Sequence, residues 1–138
     1  MATVPNLQVE LTSPFWTSAA EGRLELPHCD ACSKLIWYPD ENCPHCNGEL
    51  LWRPVSGRGS VAAFTIVRRP LFPDYATWAP YVSVLIALEE DAGVRVVSQL
   101  VDCDYDAVSC DMPVEVVFRE LVVPDQGSYM APLFKPRL

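Results

Sequence analysis

Apolar residues follow two different periods along this chain. Near the start, Phe15, Trp16, Ala19 and Ala20 recur at helical spacing, behind Ser13 as a capping residue and Pro14 at the first helical position. Gly22 supplies a stop, so residues 13–21 are predicted as one short helix. From Val55 onward the pattern turns to strands. Residues 60–68, 81–88, 94–101 and 114–121 are runs of eight or nine residues rich in β-branched types, which predict four strands. Residues 89–93, polar and ending in Gly93, suit a hairpin loop between the second and third. Residues 102–113 have room for one helical turn, and residues 131–136, with Leu133 and Phe134, predict a fifth strand. Short strands without a long helix favour a small closed barrel, which leaves no edge to pair with other chains. Thirteen prolines against six glycines agree with short strands and rigid loops.

Residues 23–52 follow neither period. Four of the six cysteines, both histidines and two of the four tryptophans crowd into this segment. Such crowding predicts a small module with its own stabilising device. Over the whole chain, 138 residues that are 50% apolar and 20% charged suit one compact domain or two small ones, and exclude a disordered tail. Ten Lys and Arg against eighteen Asp and Glu give a formal net charge of −8, the wrong sign for neutralising phosphates along a nucleic acid. No apolar run reaches the roughly 18 residues of a membrane span, and the first residues lack the basic start and apolar core of a signal peptide. A cytoplasmic protein with no membrane segment is expected, and its cysteines are then better metal ligands or buried thiols than a disulfide frame.

Cys29 and Cys32 form one C-x2-C pair and Cys43 and Cys46 another, ten residues apart. Each pair suits a tight knuckle that turns two thiolates inward, and two knuckles facing each other close a tetrahedron around Zn2+. Pro44 stiffens the second knuckle, Asn47-Gly48 is a turn dipeptide, and residues 35–38 (LIWY) are expected as a strand leading away from the first. Four thiolates leave no open position for water, so the zinc is expected to be structural, with iron as the other metal this ligand set accepts. A redox role would want one pair at a helix N-terminus after a strand, a context that is missing. His28 and His45 are redundant beside four cysteines and are not expected to ligate; Cys103 and Cys110 are expected as buried thiols.

The chain carries no G-x-S-x-G, HExxH, GxxxxGK[ST] or G-x-G-x-x-G motif. Gly57-Arg58-Gly59 suits a tight turn into the first barrel strand. Asp102, Asp104 and Asp106 have the spacing of a calcium loop, but Ala107 and Pro113 stand where it needs glycine and glutamate. The sequence therefore describes a binding or assembly protein, with no catalytic residues assigned. Residues 69–80 place Phe72, Tyr75 and Trp78 beside Arg68 and Arg69 in an acidic background. Aromatics and arginines together suit packing over the barrel end, anchoring a partner, or stacking and pairing with a nucleotide.

The order of these parts resembles one family. Ser13-Pro14-Phe15-Trp16, Glu21-Gly22-Arg23-Leu24, the two C-x2-C pairs, Val55-Ser56-Gly57-Arg58-Gly59-Ser60-Val61 and Met112-Pro113-Val114-Glu115-Val116 are similar to the zinc-ribbon plus OB-fold family of acyl-CoA-associated proteins. The resemblance spans about Leu11 to Phe134 and departs from the family only where Cys110-Asp111 replace a frequent glycine before Met112. It implies a mainly β chain with an N-terminal helical segment (1–22), a rubredoxin-like zinc ribbon (23–53) and a C-terminal five-stranded OB-fold (54–138). It implies structural Zn2+ on Cys29, Cys32, Cys43 and Cys46. It also implies a non-catalytic accessory subunit of a thiolase-superfamily enzyme, in a two plus two hetero-oligomer with acyl-CoA at the shared interface. The reaction would be thiolytic or retro-aldol cleavage of carbon–carbon bonds in acyl-CoA thioesters, steroid side chains among them. Arg58, Arg68, Arg69, Phe72, Tyr75 and Trp78 are then expected to meet the partner or the CoA nucleotide. The rival readings are a stand-alone acyl-CoA regulator and a single-stranded nucleic-acid binder. Four thiolates and one Zn2+ move the formal charge from −8 to −10, further from the second of these.

Overall fold

The computed structural model describes residues 4–138. Helix α1 (Ser13–Ala20) starts after Thr12, which holds the N-cap position without a side-chain hydrogen bond, and has Pro14 in its first turn, so the predicted Ser13 cap is not made. At the other end the Gly22 N–H donates to the Ala19 carbonyl and the Arg23 N–H to the Ser18 carbonyl, a Schellman closure with Gly22 at positive φ. Ser18 and Ala19 are the buried pair and Ala20 is exposed. Ser18 is tolerated inside because its hydroxyl donates to Glu25 at 2.8 Å, tying the helix to the next strand.

Strands β1 (Glu25–Cys29) and β2 (Leu50–Pro54) pair antiparallel and form the ribbon's sheet. Residues 35–38 do not make the expected strand. Leu35 contributes a single bridge to His28, and Ile36 donates to the Pro27 carbonyl at 2.8 Å. Leu35 is buried in the core shared with the barrel and Ile36 against Cys29 and Cys43, which explains the apolar run without a ladder.

The second half is a closed barrel of β3 (Arg58–Val67), β4 (Tyr81–Leu88), β5 (Asp91–Leu100), β6 (Pro113–Val123) and β7 (Gly127–Pro136), in the order β3-β4-β5-β7-β6. Four of the five pairings are antiparallel and β5–β7 is parallel, the topology of an OB-fold. The expected 89–93 loop shrinks to Glu89-Glu90, because Leu88 pairs with Asp91 while Ala87 pairs with Arg95. Ala92, Gly93 and Val94 between them form a bulge in β5. The helical turn expected within 102–113 is a single 3-10 turn at Tyr105–Ala107. Asp111 stands at φ 68°, so an aspartate holds the left-handed position next to Met112 where glycine is frequent in the resembling family. Gly59 passes so close to β4 that a Cβ there would sit 2.4 Å from the Ala87 carbonyl oxygen.

Ribbon and barrel share one core. Leu24, Leu26 and Leu35 join Val61, Val82, Ile86, Val114 and Phe134 in a single apolar cluster. No helix among the described residues is long and apolar enough to cross a membrane.

Candidate metal centre and aromatic groove

The two knuckles are built alike. The Ser33 N–H donates to the Cys29 carbonyl and the Cys29 N–H to the Lys34 carbonyl; the Asn47 N–H donates to the Cys43 carbonyl and the Cys43 N–H to the Gly48 carbonyl. Both turns close through a residue at positive φ, Ser33 at 65° and Asn47 at 63°. This repeat brings all four Sγ atoms within 4.8 Å of one another, with Cys29 to Cys46 at 3.4 Å and Cys32 to Cys43 at 3.7 Å. Zinc–sulfur bonds of about 2.3 Å give a tetrahedron edge of about 3.8 Å, so the four thiols fit the ion. Backbone donors already favour thiolates: the Cys32 N–H bonds Cys29 Sγ at 3.3 Å and the His45 N–H bonds Cys43 Sγ at 3.4 Å. The Cys32 amide is the largest cause holding the Cys29 thiol down at about 6. Cys46 is pushed up to about 12, first by its hydrogen bond with Cys29, so one sulfur of the pair carries the charge and the other the proton. A divalent ion held by Cys29, Cys32, Cys43 and Cys46 would favour the thiolate form of each.

Neither histidine joins the cluster among the described residues. His28 turns its Nδ1–H onto the Leu26 carbonyl at 3.0 Å. Cys103 is half-buried, with burial pushing its thiol up, whereas Cys110, on the turn before β6, is exposed; the buried-thiol expectation fails there.

Gly48 is the tightest point of the centre. A Cβ on it would meet Ala31 Cβ at 2.9 Å, Cys29 Sγ at 3.0 Å and Cys46 Sγ at 3.2 Å. Gly48→Ala is therefore expected to weaken zinc binding by about 10- to 100-fold, the usual effect of disturbing the shell behind the ligands. Competition with a chromophoric chelator measures this, and unchanged affinity would show that the knuckles have slack.

A second site lies on the barrel. The β5–β7 seam is held by the Leu100–Phe134 pair, by the Val101 N–H to the Phe134 carbonyl at 2.8 Å, and by the Ser98 hydroxyl to the Pro132 carbonyl at 2.8 Å. Beside it opens a groove of about 360 Å³, walled by Val97, Leu121 and Tyr129 of the barrel, Trp16 of α1, and Tyr75 and Trp78 of the loop. Tyr75 and Trp78 stack at 4.9 Å with planes 18° apart, and Phe72 meets Tyr75 edge-on at 5.9 Å. The structure thus brings the three loop aromatics together. The arginines are dispersed. The Arg68 guanidinium lies over the Tyr105 ring, 5.5 Å from its centroid, and Arg69 is exposed. Arg58 begins β3 while Arg68 follows its end, roughly 30 Å of strand away. There Arg58 pairs with Glu89 at 2.8 Å, so it shares no local surface with the loop. Trp16, Tyr81 and Tyr129 also line the groove, outside the residues that the sequence singles out. Tyr129 precedes the predicted start of the last strand, and Trp16 carried only a helical-face signal.

Residues 16–50 match the family model of the ChsH2 rubredoxin-like zinc ribbon domain, and residues 52–119 that of the ChsH2 C-terminal OB-fold domain. A DUF35 domain-containing scaffold protein of Methanothermobacter thermautotrophicus is 35% identical over 95 residues, covering 67% of this chain and 69% of that protein. The chain belongs to the DUF35 family. Another DUF35 scaffold protein, from Methanocaldococcus jannaschii, is 35% identical over 96 residues, 67% of this chain and 65% of the relative. Among solved structures, a chain of the Ltp2-ChsH2(DUF35) aldolase superposes over 100% of both chains with a TM-score of 0.77 and 26% identity. A DUF35 protein from Sulfolobus solfataricus shares the fold, with a TM-score of 0.60 at 11% identity over 94% of this chain and 87% of that one. The DUF35 ribbon and its four converging thiols identify the metal as structural zinc, held by Cys29, Cys32, Cys43 and Cys46.

Proposed function

We propose that this DUF35 chain is a non-catalytic accessory subunit of a thiolase-superfamily enzyme that makes or cleaves carbon–carbon bonds in acyl-CoA thioesters. The observation that carries the reading is the full-length likeness to the Ltp2-ChsH2(DUF35) aldolase chain, ribbon and barrel together. In this reading the large subunit supplies the nucleophile or base, and steroid side-chain degradation is one setting. This chain stabilises the large subunit and completes the acyl-CoA channel, where apolar walls exclude water from the reacting thioester. Phe72, Tyr75 and Trp78 face the shared interface, with Arg68 and Arg69 available to the partner or the CoA phosphates. Arg58, held by Glu89 at the far end of β3, contributes to the barrel's own structure.

Co-expression with a thiolase-superfamily large subunit from the same genome tests the assembly. The two chains are expected to co-purify through gel filtration as one hetero-oligomer, two of each, when only one carries a tag. Separate elution of two folded proteins would contradict it.

A further inference from the structure

The barrel closes over only part of the seam between β3 and β6. On one side β3 pairs with β4 from Gly59 to Val67, nearly its whole length. On the other side β6 reaches only Arg58 to Ser60. The last bonds there join the Val61 N–H to the Met112 carbonyl at 3.0 Å and the Asp111 N–H to the Val61 carbonyl at 2.8 Å. Beyond Val61, that side of β3 makes no backbone hydrogen bond among the described residues. The residues that face one neighbour alternate along a strand, and the bulge at Ala62 shifts the alternation by one. Phe64 and Ile66 therefore turn their N–H and C=O groups to the open side, while Ala63, Thr65 and Val67 bond β4. Ala63, Phe64 and Thr65 are all exposed. No charge or proline interrupts the strand from Gly59 to Val67, so it lacks the devices by which natural edges avoid pairing.

We propose that this edge pairs with the same edge of a second copy of this chain, antiparallel across a two-fold axis at Thr65. The inference stands apart from the accessory-subunit reading, since it needs this chain alone. The two ends of the edge select the occupant. One end stops at Asp111, which is exposed and has no ion pair among the described residues. The other runs into Arg68, held over the Tyr105 ring that Asp104 and Asp106 flank in sequence, and then into Arg69, exposed and likewise without an ion pair. A two-fold axis turns each end onto the other, so an edge with a free acid at one end and a free arginine at the other meets itself with complementary sign. The register follows from the alternation. Phe64 of each copy opposes Ile66 of the other and exchanges both backbone bonds with it, while Thr65 opposes Thr65. Arg69 then stands opposite Val61, beside Asp111 of the other copy. A net charge of −8 per chain keeps the contact weak, and about 150 mM salt screens charges more than about 8 Å apart.

Sedimentation of the zinc-loaded full chain at rising concentration, in that salt, tests the pairing. The wild type is expected to pass from monomer to dimer, and the Phe64 and Ile66 amides to exchange with deuterium more slowly as the dimer fills. Thr65→Lys and Thr65→Glu each set like charges face to face on the axis and are expected to weaken the dimer about fivefold or more. Thr65 is exposed, so zinc content and melting curve are expected to stay as in the wild type. An equimolar mixture of the two variants sets Lys against Glu and is expected to restore the dimer, a rescue that a two-fold contact through residue 65 gives and a contact elsewhere does not. A wild-type chain that stays monomeric at about 1 mM would overturn the proposal. A dimer that both variants retain, or that the mixture does not restore, would overturn the β3 contact. Phe64 and Ile66 amides protected only after a thiolase-superfamily large subunit is added would replace the second copy by a strand of that subunit and overturn the proposed partner.

Discussion

A Cys43→Ser chain is expected to lose its zinc and, with it, folded structure well beyond the ribbon. Cys43 is buried, and its sulfur is one of four that converge within 4.8 Å. Structural zinc contributes about 10–16 kcal/mol of apparent binding energy in small modules. A domain of this size has a net stability of about 5–15 kcal/mol, so removing most of that contribution leaves little in reserve. A ribbon built as a separate module would unfold by itself on chelation, ahead of the barrel. The shared core argues otherwise: Leu24, Leu26 and Leu35 of the ribbon pack in one cluster with Val61, Val114 and Phe134 of the barrel. Loss of the knuckles therefore strips one side of the barrel's own core. Metal analysis should show zinc falling from one per chain to near none, and thermal unfolding followed by near- and far-ultraviolet circular dichroism should show both signals weakened together. A barrel that keeps its wild-type melting curve would show that the two parts are energetically separate.

Phe134→Ala is expected to cost about 3–5 kcal/mol, the range for deleting a buried phenylalanine ring. Phe134 is 1% exposed, and it belongs at once to the core, to the wall of the groove and to the seam. Its residue pairs with Leu100, and its carbonyl accepts the Val101 N–H at 2.8 Å. Phe134 also sits in the ten-residue ladder that ties β7 to β6, so the closed barrel has little freedom to collapse into the cavity. Urea denaturation at saturating zinc measures the loss. A change below about 1 kcal/mol would mean that the seam closes around the gap.

Much of this was legible in the residues, for local reasons. The strands of the barrel follow from β-branched runs, and the metal centre follows from cysteine spacing, because two C-x2-C turns constrain their thiolates within a few residues. Where long-range contacts decide, the pattern misleads. Residues 35–38 look like a strand, yet Leu35 is apolar because it joins the core shared with the barrel and Ile36 because it packs against Cys29 and Cys43. Asp91 and Gly93 look like a loop, yet they extend β5 through a bulge. Arg58 and Arg68 look like neighbours on one surface, but a ten-residue strand separates them. The groove takes Trp16 from the helix, Trp78 from a loop and Tyr129 from the last strand, and no short window of sequence contains that convergence. Ser33 and Asp111 adopt positive φ without being glycine, which turn chemistry alone would not have marked.

The accessory role is tested most directly by cleavage of an acyl-CoA substrate by the large subunit, assayed with this chain withheld and then added back in zinc-loaded form. The account expects cleavage to collapse without this chain and to return on its addition. Full activity of the large subunit by itself, folded and unaided, would contradict it.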